Sequence, residues 1–277
     1  MPFIEPITVL SPAKINLALD VVGRDELSGY HEIDTVLYEV RSLNDQITIT
    51  PRDDGKIVVE CDHSDVSLDE TNTAYRAAAA LMEDFPRGIG ITISILKKIP
   101  VSSGLGGGAS NAAATLRGIN QLFNLKKPRA ELVAIAKKIG MDVPFFLHRH
   151  CARGTHFGED IEGLSCPDLP IDIIETGITI SSREAYSHVD MARCGKSRGK
   201  TERLIKALRR GNIDGVIENA HNDFEEWAFE KYSELTRIKR ELEKTVSKTG
   251  GKVMLAGSGG ALVILKTPAF PPSHLKE

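Results

Sequence analysis

The sequence predicts an α+β fold in two parts, and three observations carry that expectation. Apolar and polar residues alternate from Lys14 to Val21, the period of a half-buried strand. A cluster of glycines at 104–108 runs straight into Ala112, Leu116, Ile119 and Phe123, which recur at helical spacing. The last third combines helical stripes with a strand, glycine turn and strand over 252–265.

In the first strand Ile15, Leu17, Leu19 and Val21 share one side, so Lys14 and Asn16 share the other, turned from the aliphatic core. Strands follow at 46–50, 56–61 and around Ile89, Ile91, Ile93 and Ile95, where alternation and β-branching favour an extended chain. Between them the alanine-rich stretch 73–82 reads as a helix. The glycine cluster should open into a helix starting near Ser110 and Asn111. A second helix should begin at Pro128, gather Leu132, Ile135, Ala136 and Ile139 on one face, and end at Gly140, just before Asp142. Beyond it come a strand over 171–180, a helix over 201–209, and a longer helix carrying Leu235, Ile238 and Leu242 on one stripe. With no repeat and no low-complexity linker, a boundary near residue 155 is a packed one between parts 1–155 and 156–277.

Composition narrows the function. With 277 residues, 41% apolar, 26% charged and a net charge of -3, the chain has ordinary globular proportions. There is no basic run for nucleic acid, and no stretch near the roughly 18 apolar residues of a membrane span. Cys61, Cys151, Cys166 and Cys194 are irregularly spaced with no Cys-x-x-Cys pair, which reads as free thiols in a reducing, cytoplasmic setting.

The chemistry concentrates in Pro100-Val101-Ser102-Ser103-Gly104-Leu105-Gly106-Gly107-Gly108-Ala109-Ser110, joining a strand to a helix. Glycine loses the most backbone entropy on folding, so such a cluster needs a reason. One is that bare backbone lets N–H groups approach phosphate oxygens while the helix N-terminus faces the same anion; the other is a tight connection with no ligand. No lysine follows as in a Walker A loop, and no His-Arg-Asp or Asp-Phe-Gly occurs. A dinucleotide fingerprint lacks its acidic residue about 20 positions on.

The remaining pattern, with Ser11-Pro12-Ala13-Lys14-Ile15-Asn16-Leu17, Gly29-Tyr30-His31, Asp142-Val143-Pro144, Asn222-Asp223-Phe224-Glu225 and Gly257-Ser258-Gly259, resembles the GHMP kinase superfamily over almost the whole chain. The resemblance implies a two-domain fold with the cleft between the domains, and transfer of the γ-phosphoryl group of ATP, with Mg²⁺, to an alcohol. Gly29-Tyr30-His31 narrows the resemblance to the branch that acts on a cytidine diphosphate substrate in isoprenoid precursor synthesis. The expected partner is that small molecule, with neither nucleic acid nor membrane, and the expected state a monomer or weak homodimer.

The same resemblance implies the roles. Asp142 would take the proton of the attacking hydroxyl and Lys14 would offset charge on the transferred group; the plain alternatives are a helix cap and a solvated strand lysine. Asn16 would bond the polyol. Tyr30 would stack on cytosine, His31 would read its edge, and Tyr186 would be the second aromatic. Asn72 and Lys97 are nucleotide-contact candidates, and Ser110 could reach a phosphate oxygen or Mg²⁺, although a cap or a rim lysine accounts for each equally simply. Competing readings are a superfamily kinase with another alcohol substrate, a non-catalytic nucleotide binder, and a dinucleotide-dependent oxidoreductase. Three departures stand out: Ser102 and Ser103 replace more usual glycine or alanine, Ala109 replaces serine, and the proline-rich tail 267–273 cannot form a regular helix, leaving the last strand covered by something else or open.

Overall fold

A computed structural model describes residues 5–83, 85–148 and 150–267. The proline-rich tail beyond Thr267 lies outside them. In chain order the elements are β1 (Ile7–Arg24), β2 (His31–Arg52), β3 (Ile57–Cys61), α1 (Thr73–Leu81), β4 (Gly90–Leu96), α2 (Gly107–Leu122), α3 (Arg129–Ile139), α4 (Val143–His148), β5 (Cys151–Thr155), β6 (Asp160–Gly163), β7 (Ile171–Ile174), α5 (Ser182–Ser187), a 3₁₀ turn (Met191–Arg193), α6 (Arg198–Arg209), α7 (Ile213–Asn219), β8 (His221–Asn222), α8 (Glu225–Lys231), α9 (Ser233–Thr249), β9 (Gly251–Leu255) and β10 (Leu262–Lys266).

A seven-stranded sheet runs β3-β4-β2-β1-β8, with β5 also on β2 and β6 on β5; β7, β10 and β9 form a second sheet. The α+β class is as expected, but β1 is not half-buried: Ser11 through Val21 are buried on both faces. Ala13, Ile15 and Leu17 pack with α6, α7 and the second sheet, while Lys14 and Asn16, 4% and 3% exposed, project the other way into the protein rather than toward water. Polar side chains buried this deeply need partners, and those partners build the site described below.

The short strand read at 46–50 is the end of a strand of 22 residues. The strand read over 171–180 stops at Ile174, after which the chain leaves the second sheet. The α1 helix forms because Asn72 caps it, its Oδ1 accepting from Ala74 N at 2.8 Å, and because Ala74, Ala77, Ala78 and Leu81 repeat at helical spacing into the core. The α3 helix lies between Pro128 and Gly140 as expected, though Gly140 caps it in an extended rather than left-handed conformation.

Two cysteines correct the thiol reading. Cys151 and Cys166 are joined by a disulfide; the β5–β6 hairpin returns the chain alongside its own start, leaving the two Cα atoms 6.2 Å apart. Leu164 N donates to Cys151 O at 3.0 Å in the same return. Cys61 and Cys194 are free, so the cysteines no longer argue for a reducing compartment. Among the described residues no helix is long and apolar enough to cross a membrane.

Candidate active site

Position 14 is where the two glycine segments converge. Lys14 N donates to Leu105 O at 2.9 Å, and Asn16 N donates to Ala256 O at 2.7 Å, so one edge of β1 holds the loop before α2 and the turn between β9 and β10. Ser11 Oγ donates to Asn111 Oδ1 at 2.7 Å, fixing α2 to the same strand. Asn222 completes the frame: its Nδ2 donates to Gly257 O at 2.9 Å, and β8, which carries it, pairs with β1.

The glycine turn presses directly on the glycine loop. A side chain at Gly259 would place its first carbon 2.1 Å from Ser103 C, and one at Gly257 would lie 2.5 Å from Gly104 O. Contacts that close explain glycine at both positions without any appeal to ligands. Asp45 anchors the loop's other end: fully buried, it accepts from Lys98 N and Ile99 N at 2.7 Å each and pairs with Lys97 Nζ at 2.7 Å.

The helix after the loop starts three residues earlier than the sequence predicts, at Gly107, because the glycines themselves form its first turn. Gly106 is the N-cap at φ 72°, with no side chain to cap the first N–H groups and no acidic residue in the first turn. Such N–H groups have no partner within a helix. Ser102 also has a positive φ, 55°, a backbone conformation that glycine adopts more readily than serine. Ser110 Oγ is fully buried and has no hydrogen-bond partner among the described residues.

Lys14 Nζ lies 2.7 Å from Asn16 Oδ1 and 3.4 Å from Asp142 Oδ2. Asp142 is held between the end of α3 and the start of α4, whose Phe145 and Phe146 are fully buried and pack edge to face at 5.1 Å. Burying two such rings is worth about twice the ~1.5–3 kcal/mol of one side chain, so the carboxylate stands on a well-packed support. Its carboxylate forms an ion pair with Lys14.

Two cavities meet at this pair. One, about 360 Å³, is lined by the loop from Pro100 to Ala109 with Asn72 and Lys97. The other, about 830 Å³, is lined by Asn16, Arg24, Tyr30, His31, Phe157 and Tyr186. Lys14, Thr73, Ala109, Asp142, Ser182 and Ser258 line both. In the larger cavity His31 stacks on Tyr186 at 5.4 Å between ring centroids. Tyr30 faces Phe157 at 5.5 Å, rather than Tyr186. Burial, reinforced by the Arg24 charge, holds the His31 imidazole below its ordinary pKa. Burial, and then the nearby Asp142 charge, pushes the Tyr186 phenol well above its own.

The candidates read from sequence thus fall on two sides of one ion pair, except Ser110, which is buried behind the loop and lines neither cavity. Two of them are committed elsewhere: Asn72 caps α1 and donates to Ser67 O at 2.6 Å, and the Lys97 ammonium is taken by Asp45 and Ile99 O. Sequence reasoning did not pick out Phe157, Thr73, Ser182 or Thr35, and marked Ser258 only as part of the Gly257 turn. Phe157 sits in an irregular polar segment with no periodicity to mark it. Ser182 and Ser258, 2.7 Å apart through their hydroxyls, come from segments distant in the chain.

A cleft with a glycine loop on one side and an aromatic chamber on the other, joined by a lysine and an aspartate, is the arrangement that the GHMP kinase resemblance leads one to expect. In agreement, the family described as GHMP kinases N terminal domain matches residues 72–150. The chain is 37% identical over 256 residues to 4-diphosphocytidyl-2-C-methyl-D-erythritol kinase of Acetivibrio thermocellus, covering 92% of this chain and 88% of that one. It belongs to the 4-diphosphocytidyl-2-C-methyl-D-erythritol kinase family. A crystal structure of 4-(cytidine 5'-diphospho)-2C-methyl-D-erythritol kinase superposes with a TM-score of 0.75 at 30% identity, over 94% of this chain and 90% of that chain. Homoserine kinase from Cytophaga hutchinsonii, at 17% identity and a TM-score of 0.72 over 95% of this chain and 85% of its own, shares the fold.

Proposed function

We propose that the protein transfers the γ-phosphoryl group of Mg-ATP to the 2-hydroxyl of 4-diphosphocytidyl-2-C-methyl-D-erythritol. The observation that carries this reading is the junction of the two cavities at Lys14 and Asp142. The part of the chain up to about residue 155 supplies the nucleotide loop, and the remainder closes the substrate side through Ser182, Tyr186 and Ser258.

The uncapped N–H groups of Gly107 to Ala109 and the positive end of the 16-residue α2 suit the nucleotide phosphates. Ser110, with its unsatisfied hydroxyl, is the residue that would hold Mg²⁺ or a phosphate oxygen. When bound, the ion offsets negative charge on the phosphates. Asp142 accepts the proton of the substrate hydroxyl as its oxygen bonds to the γ-phosphorus and the bond from that phosphorus to the β-phosphate oxygen breaks. Lys14, paired with Asp142 at 3.4 Å, offsets charge on the moving group. Asn16 spends one hydrogen bond from each end of its amide on Lys14 and Thr35, and keeps one position at each end for the polyol.

The aromatic chamber suits a nucleobase: Tyr30, Phe157 and Tyr186 offer faces, and a neutral His31 carries one donor and one acceptor for the cytosine edge. Uracil reverses that edge. With ADP formation as the readout, the uridine analogue of the substrate is expected to lower kcat/KM by at least about 10²-fold, since a mismatch leaves buried polar groups unpaired. Equal use of both nucleotides contradicts the assignment of His31.

A further inference from the structure

We infer that Thr35 fixes which way the Asn16 amide faces and thereby holds the Lys14 ammonium at the junction of the two cavities, an inference that rests on the catalytic reading of Lys14 given above. Thr35 lies on β2 and is 1% exposed. Its one hydroxyl hydrogen goes to Ala18 O at 2.6 Å, an atom that can only accept. With that hydrogen committed, Thr35 Oγ1 can only accept from Asn16, whose Nδ2 donates to it at 2.7 Å. Asn16 Oδ1 is therefore left facing Lys14 Nζ at 2.7 Å. Turned over, the amide would set its NH₂ against an ammonium that can only donate, with both groups buried and no acceptor between them.

The backbone makes this relay available. The register of β1 on β2 shifts between Asn16 and Ala18, so Asn16 pairs with Leu37 and Ala18 with Val36 while Leu17 is extra. A bulge interrupts the ladder there, and a side-chain hydroxyl takes the Ala18 carbonyl. Glycine at position 257 leaves this arrangement its space, because a first side-chain carbon there would stand 3.2 Å from Lys14 Nζ and 3.0 Å from Asn16 Oδ1. Thr35 is thus a positioning residue, acting on the transferred group only through Asn16 and Lys14.

Thr35→Val keeps the shape and removes the acceptor. The expected result is a fall in kcat of about 10- to 10²-fold, the scale of a slightly misplaced catalytic group, with KM for ATP and for the cytidine diphosphate substrate nearly unchanged. Thr35→Ser should recover most of the loss. In an Asn16→Ala background Thr35→Val should cost little more, because the two residues act as one unit. If the valine variant does not fold, Thr35→Ala in the same assays carries the same expectations. Asp142→Asn measured alongside separates the two levels of the argument. An active Asp142→Asn enzyme overturns the catalytic reading itself. An impaired Asp142→Asn enzyme beside a fully active Thr35→Val, a serine variant that recovers nothing, or losses that multiply in the Asn16→Ala background overturns the role of Thr35 alone.

Discussion

Asp142→Asn is expected to lower kcat by roughly 10² to 10⁴, the usual worth of a positioned general base, while leaving the fold and the KM for ATP largely intact. The side chain is 38% exposed, so replacing the carboxylate by an amide of the same shape costs little packing. Lys14 keeps its short bond to Asn16 in that variant. The present 3.4 Å separation between Lys14 and Asp142 is loose for an ion pair, and such contacts commonly tighten once substrates are bound. Steady-state kinetics and a thermal melt together make the check. Turnover at the wild-type rate removes Asp142 from the reaction; lost turnover with a collapsed melting temperature makes it a structural residue.

Gly259→Ala is expected to damage stability and nucleotide binding together. The added carbon would sit 2.1 Å from Ser103 C and 2.2 Å from Gly104 N. Those are backbone atoms of a loop held by Lys14, Asp45 and the Ala261 N to Ser103 O bond of 3.2 Å, so no flexible side chain can yield instead. Overpacking of this kind typically costs about 1–3 kcal/mol, and a chain of this size loses about 2–4 °C in Tm per kcal/mol. Because relief must come from moving the loop, KM for ATP should rise by about tenfold or more, the equivalent of ~1.4 kcal/mol of lost binding. Wild-type Tm and KM would show that the turn and the loop do not bear on each other.

Much of this was legible in the sequence where local pattern and tertiary role agree. The alternation at Lys14 and Asn16 put both side chains on one strand face, and the glycine cluster marked a strand-to-helix junction. Other features were hidden because they depend on partners far along the chain. Nothing local shows that β1 is covered on both faces, since one face packs with α6, α7 and the second sheet and the other carries Lys14 and Asn16 against Thr35 and Asp142. The 22-residue extent of β2 is masked by Asp34, Glu39, Arg41 and Asn44, polar residues whose burial or pairing is settled by contacts such as Arg153 to Asp34 at 2.6 Å. The disulfide is set by a hairpin return that spacing alone does not reveal. Thr35 and Phe157 carry no motif of their own. Asn222 and Asp223 were visible as a motif, but their work, tying β8 to the Gly257 turn and accepting from Val21 N at 2.8 Å, is seen only in three dimensions.

The central claim is that the loop and the aromatic chamber hold two substrates on either side of Lys14 and Asp142. A crystal structure with a non-hydrolysable ATP analogue and 4-diphosphocytidyl-2-C-methyl-D-erythritol tests it most directly. The expected result is a triphosphate on the amides of 100–110, with the 2-hydroxyl of the polyol within hydrogen-bond reach of the Asp142 carboxylate and in line with the γ-phosphorus. A nucleotide bound away from that loop, or a polyol whose hydroxyls all lie beyond the reach of Asp142, would contradict the account.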